Sequence, residues 1–195
     1  ILFDCAEGES DHYFPKSRYP ALALHPWNLL PTCPACNGPR FKHGKDPIAE
    51  EDAGQGELRT VFLPYLRAAQ DEVAFRVSED CGITMYPGPA GDGFTQRRID
   101  NMERLYALGR RWSGVLSHVY DDLNAELREY GNREDTPADR LAAVRKLLAR
   151  YANSTKDRKD LVKGIYCAWL QTQSDQELEA MILNTPLSGP LDGTA

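Results

Sequence analysis

Asp11 and His12 stand side by side, Asn28 follows sixteen residues after His12, and Cys33-Pro34-Ala35-Cys36-Asn37 places a second asparagine nine residues beyond the first. This set suits hydrolysis of a phosphodiester, which needs a deprotonated water, a cation to neutralise the strained phosphate and stabilisation of the departing oxygen. Asp11 offers a hard oxygen ligand for Mg²⁺ or Mn²⁺, and Asn37 completes that site through its side-chain oxygen. His12 projects from the opposite face of an extended strand. It is the candidate general base, because an imidazole can accept a water proton at physiological pH. Asn28 is a donor-acceptor amide suited to holding the loop that carries His12. Cys33 and Cys36 have the spacing of a zinc knuckle, a turn that brings Asn37 back to the metal. Taken singly, each residue has a plainer reading as a surface turn, an ordinary asparagine or a purely structural knuckle. Order and spacing carry the inference.

A hairpin followed by a knuckle and a short helix fits these spacings. Residues 21–24 and 27–30 read as the arms of a small hairpin region, and Pro15, Pro20, Pro26, Pro31, Pro34 and Pro39 exclude long helices there. Residues 44–56 are acidic and glycine-containing, which predicts an exposed loop, and a helical start near 58 is interrupted by Pro64. Residues 72–78 alternate apolar and polar as a half-buried strand does, with 82–86 as partner. Pro87-Gly88-Pro89 and Gly91-Asp92-Gly93 end that region as a linker or wide loop.

The rest is helical. From about 95 to 130, Ile99, Met102, Leu105, Trp112, Leu116, Val119, Leu123 and Leu127 recur at three- and four-residue steps. Thr136-Pro137 starts a helix, another covers 159–170, and Ser174 with Glu177 forms a capping box for a last one. Trp27 and Trp112 read as core aromatics.

The chain has 195 residues, of which 27% are charged and 42% hydrophobic, an ordinary globular composition. No apolar run approaches the roughly 20 residues of a membrane span, and the expected location is the cytoplasm. The chain opens on Ile1, so nothing about targeting follows from that end. A net charge of −6 is low for a protein that grips nucleic acid alone, since phosphate neutralisation supplies most nonspecific affinity. Lys16, Arg18, Arg40, Lys42 and Lys45 nevertheless cluster around the motif. Arg40, Lys42 and Lys45 are candidate phosphate contacts, or a solvated basic turn. Five cysteines make no paired disulfide framework, and Cys81 and Cys167 read as buried small side chains.

The segment 5–45, through DHY-P-K-S and then P-x-N-L-x-P-x-C-x-x-C-N, resembles HNH endonucleases of the ββα-metal fold. That resemblance implies metal-dependent cleavage of DNA to 5′ phosphate and 3′ hydroxyl ends. It makes Asp11 and Asn37 the metal ligands, His12 the base and Asn28 the middle asparagine. PKSRYPALAL, FLPYL and QRRIDNMERLYALG are similar to HNH proteins of prokaryotic anti-phage loci that pair with an ATPase, of the Septu type. An ATPase partner is the implied consequence.

The family binds structural zinc with two CxxC pairs. Here Cys33 and Cys36 form the second, Cys5 alone represents the first, and Leu2 stands where its mate belongs. An upstream cysteine, His43 or His25 could complete a four-coordinate site, or the knuckle could persist without metal. The expected fold is α+β: an HNH ββα-metal module with a zinc knuckle over 1–50, a connecting region with short strands over 51–94, and a partner-binding helical bundle over 95–195. Two other classes remain open, a noncatalytic zinc-knuckle adaptor and a nuclease acting on RNA such as tRNA.

Overall fold

The computed structural model describes residues 8–54, 57–63, 65, 71–78, 80–153 and 158–183. It is α+β, with two small antiparallel strand pairs and a larger helical part. The chain forms two compact units, Ile1–Ser113 and Gly114–Ala195.

In the first unit, β1 (Glu9–His12) pairs with β2 (Leu29–Thr32), Asp11 opposite Leu30 and His12 opposite Leu29. These arms lie further apart in sequence than the expected hairpin of 21–24 and 27–30. Pro20 and Pro26 each open a 3₁₀ turn instead, because proline presets φ for a first helical position and cannot donate to a sheet. Helix α1 (Pro34–Asn37) follows β2 directly, with Cys33 at its N-cap, and packs on β1. Tyr13, Phe14, Leu30 and Val61 form one buried cluster behind this module.

The stretch 44–56, expected as an exposed loop, is partly folded in: Ala49 and Asp52 are buried. The alternating segment is a strand as expected, β3 (Val73–Val77), paired with β4 (Ile83–Pro87). The Pro/Gly stretch after β4 is a tight turn, with the Gly88 and Ala90 amides donating to the carbonyls of Glu72 and Asp71. A Cβ on Gly88 would lie 2.4 Å from the Asp71 oxygen, so only glycine fits.

The single long helix expected from 95 is two helices, α2 (Thr95–Tyr106) and α3 (Leu108–Gly131). Ala107 between them takes the left-handed conformation at φ 47°, and its amide closes α2 onto the Glu103 carbonyl. Leu105, Tyr106 and Leu108 on either side of this break bury Cys33 and Cys36, with Met85, Met102 and Trp112 packed around them. Trp112 is thus the core aromatic expected. Trp27 is not: it is 57% exposed.

Arginines of α2 tie the loops of this unit together. Buried Arg98 pairs with Glu72 and Asp92 and donates to the Arg59 carbonyl. Arg97 and Asn101 hold Asp52, and Arg104 donates to the carbonyls of Asp46 and Pro47.

The second unit holds the rest of α3 with α4 (Pro137–Ala152), α5 (Arg158–Gln171), α6 (Asp175–Leu178) and a π turn, Glu179–Leu183. Thr136 caps α4 and Ser174 with Glu177 forms the capping box, both as expected. Helices α4 and α5 pack together, and Leu123, Leu127, Leu148, Val162, Cys167 and Leu170 are buried. No described helix is long and apolar enough to cross a membrane.

The left-handed Ala107 carries a Cβ penalty that glycine lacks. Ala107→Gly should therefore raise stability by about 1 kcal/mol, read as a higher denaturant midpoint. An unchanged or lowered midpoint would count against the strained joint.

Candidate functional site

The strand period of two puts Glu9 and Asp11 on one face of β1 and His12 on the other. Asp11 is 8% exposed. Its Oδ2 is buried and makes no hydrogen bond, with the Lys42 ammonium 3.4 Å away as its ion-pair partner. His12 directs Nε2 at the Ala23 carbonyl, 2.9 Å away. A carbonyl only accepts, so Nε2 carries the proton, and in the neutral ring Nδ1 keeps its lone pair. The ring is thereby held in the tautomer a base requires.

Asn28, 3% exposed, organises the chain after His12. Its carbonyl accepts from the Tyr13 amide at 2.8 Å, and Oδ1 accepts from the Phe14 amide at 2.7 Å. Nδ2 donates to the carbonyls of Phe14 and Leu22 at 3.0 and 3.1 Å. These bonds seal the 13–28 loop and set its 20–25 turn over His12, which is how the Ala23 carbonyl reaches the imidazole.

Asn37 ends α1 and donates from Nδ2 to Glu9 Oε2 at 3.0 Å. A carboxylate only accepts, so this bond assigns the amide orientation and leaves Oδ1 as the atom that could meet a cation. The donor set is made of hard oxygens, and one of them, Asp11 Oδ2, is buried without a hydrogen bond. Both features fit Mg²⁺ or Mn²⁺.

The Cys33 and Cys36 sulfurs are buried and 3.0 Å apart. Cys33 Sγ accepts from the Cys36 amide at 3.3 Å, and Arg111, from the first turn of α3, donates to Cys36 Sγ at 3.0 Å. Burial works to raise the Cys33 thiol, but the bonds from Cys36 and the Arg111 charge outweigh it and hold it below the usual range. Burial, then the Cys33 bond, pushes Cys36 above it. A tetrahedral zinc with 2.3 Å bonds would spread the two sulfurs to about 3.8 Å. Among the described residues no three His, Cys, Asp or Glu side chains are grouped to hold a metal, so neither His25 nor His43 completes the pair. Cys5 lies outside the described residues.

Of the three candidate phosphate contacts, Arg40 and Lys45 are exposed, whereas Lys42 is fully buried. Its Nζ donates to the His12 carbonyl at 2.8 Å and faces Asp11, so it has no surface to offer a strand of nucleic acid. Burial holds the Lys42 ammonium below its usual pKa, against the opposing pull of Asp11 and Asp46. Sequence reasoning missed Glu9, Ala23 and Arg111 as parts of the site. The two-residue period from Asp11 points to Glu9. No local pattern marks a backbone carbonyl or an arginine 75 residues from Cys36.

Over 42 residues the chain is 45% identical to Septu protein PtuB of Bacillus thuringiensis, which covers 20% of this chain and 16% of that protein. The chain therefore matches a small part of that relative's length. No family model matches, and no solved structure does.

Asn28→Ala would strip partners from the Phe14 amide and from the carbonyls of Phe14 and Leu22. The expected loss is at least about 2 kcal/mol, measured by denaturant unfolding, with faster hydrogen exchange at the Phe14 amide. A variant as stable and as protected as the parent would remove Asn28 as the clamp.

Proposed function

We propose that the chain is a divalent-metal-dependent HNH endonuclease that hydrolyses DNA phosphodiester bonds, acting as the nuclease subunit of an anti-phage defence complex with an ATPase. The observation that carries this reading is the Ala23-oriented imidazole of His12, next in sequence to a buried carboxylate oxygen without a hydrogen bond. The partial likeness to a Septu protein supports the defence setting. A net charge of −6 supports a partner, since a chain that grips DNA weakly on its own can be brought to it by another subunit.

In this reading Asp11 and Asn37 hold Mg²⁺ or Mn²⁺, which supplies the positive charge that offsets charge building on the phosphate. His12 Nδ1 takes a proton from water as the water oxygen bonds to phosphorus. The bond from phosphorus to the 3′ oxygen breaks, and that oxygen takes a proton from solvent, leaving 5′ phosphate and 3′ hydroxyl ends. Asn28 keeps the His12 loop in register, and exposed Arg40 and Lys45 position phosphates. Cys33 and Cys36, with Cys5 and a fourth donor, would hold a structural zinc only with their sulfurs drawn apart from 3.0 Å, and Arg111 would offset the thiolate charge.

Plasmid cleavage with Mg²⁺ or Mn²⁺ tests this directly, with and without the ATPase. His12→Ala should lower the rate by about 10²–10⁴ with the fold unchanged. Equal cutting by the variant would dismiss His12 as base. Cleavage of a tRNA and not of the plasmid would move the substrate to RNA.

A further inference from the structure

Lys42 is a buried cation whose two polar contacts are the two residues the reaction depends on most. Its side chain has no exposure, its Nζ donates to the His12 carbonyl at 2.8 Å, and it stands 3.4 Å from Asp11 Oδ2. The next carboxylate, Asp46, is already engaged by the Tyr19 hydroxyl at 2.9 Å and by Arg18 at 3.0 Å. Taking an ammonium out of water is costly, and an apolar side chain of similar volume often serves packing as well or better. The charge therefore asks for a role beyond filling space.

Asp11 is also the one charged ligand of the proposed cation, since Asn37 is neutral. With Lys42 beside it, the Asp11–Lys42 pair is electrically neutral, and a divalent ion arriving at Asp11 meets a fixed positive charge at short range. Glu9, the other carboxylate on this face of β1, is engaged by the Asn37 amide at 3.0 Å, and a phosphodiester adds further negative charge.

Resting on the nuclease reading above, we propose that Lys42 is a positioning residue. It fixes Asp11 and the His12 main chain in place, and its charge keeps the free site from retaining a divalent cation tightly until a phosphate joins it. Metal and substrate then bind as a coupled pair.

The test is Mn²⁺ binding to the chain without nucleic acid, followed by the electron paramagnetic resonance signal of the free ion. Lys42→Met should tighten Mn²⁺ binding at least about tenfold while slowing plasmid cleavage at saturating metal. A merely structural lysine would not produce that opposite movement. Lys42→Gln, which can still donate to the His12 carbonyl, should tighten Mn²⁺ in the same way with a smaller loss of cleavage. Mn²⁺ affinity unchanged or weakened in whichever variant keeps a cooperative thermal transition overturns the proposal, as does failure of both variants to fold. If the parent chain cuts nothing yet Lys42→Met binds Mn²⁺ more tightly, the nuclease reading fails and the effect of the charge on the metal stands. If the parent cuts and the affinity does not move, the reverse holds.

Discussion

The side-chain amide of Asn28 is the constraint on which the site depends. Beyond His12 the β1–β2 ladder ends, and the sixteen residues that separate the paired arms would otherwise be a loose loop. One buried amide replaces the missing ladder: it meets both the amide and the carbonyl of Phe14 and also the carbonyl of Leu22. All three bonds it makes are directed at backbone, so the loop has one low-energy path. The orientation of the His12 ring is a downstream result, since Ala23 belongs to that path.

A second framework, built from charge, holds the surroundings. Asp52, Glu72 and Asp92 are each met by an arginine of α2, and Arg104 adds two backbone carbonyls. Several of these groups are buried, so their desolvation offsets much of the attraction. Their effect is better read as specification: each arginine has one place where its guanidinium meets these carboxylates and carbonyls, which aligns α2 with the loops on which the motif rests. The apolar side of the same helix meets the two cysteines through Leu105 and Tyr106.

Much of this was legible in the residues. The strand at 73–77 announced itself by alternation, and Thr136-Pro137 and Ser174 with Glu177 announced helix starts, because these are local effects of backbone geometry. Other features were not. Ala-Leu-Ala-Leu looks like a strand arm, but the prolines before and after it favour 3₁₀ turns. Alanine is a strong helix former, so nothing at 107 signals a break that tertiary packing imposes. Lysine is almost always solvated, and only the folded chain shows that Lys42 is not. Trp27 follows the reverse case, a large aromatic that sequence assigns to a core and the fold leaves outside.

The short stretch between Asn37 and Lys42 has the composition of a surface turn, where chains ordinarily gain and lose residues freely. Here both ends are fixed. Asn37 is tied to Glu9, the Phe41 amide to the Gly38 carbonyl, the Lys42 amide to the Cys36 carbonyl, and the Lys42 ammonium to the strand bearing Asp11 and His12. The turn thus works as a ruler. A residue inserted or deleted within it would shift the ammonium by more than 3 Å, so its length, and not only its composition, is part of the site.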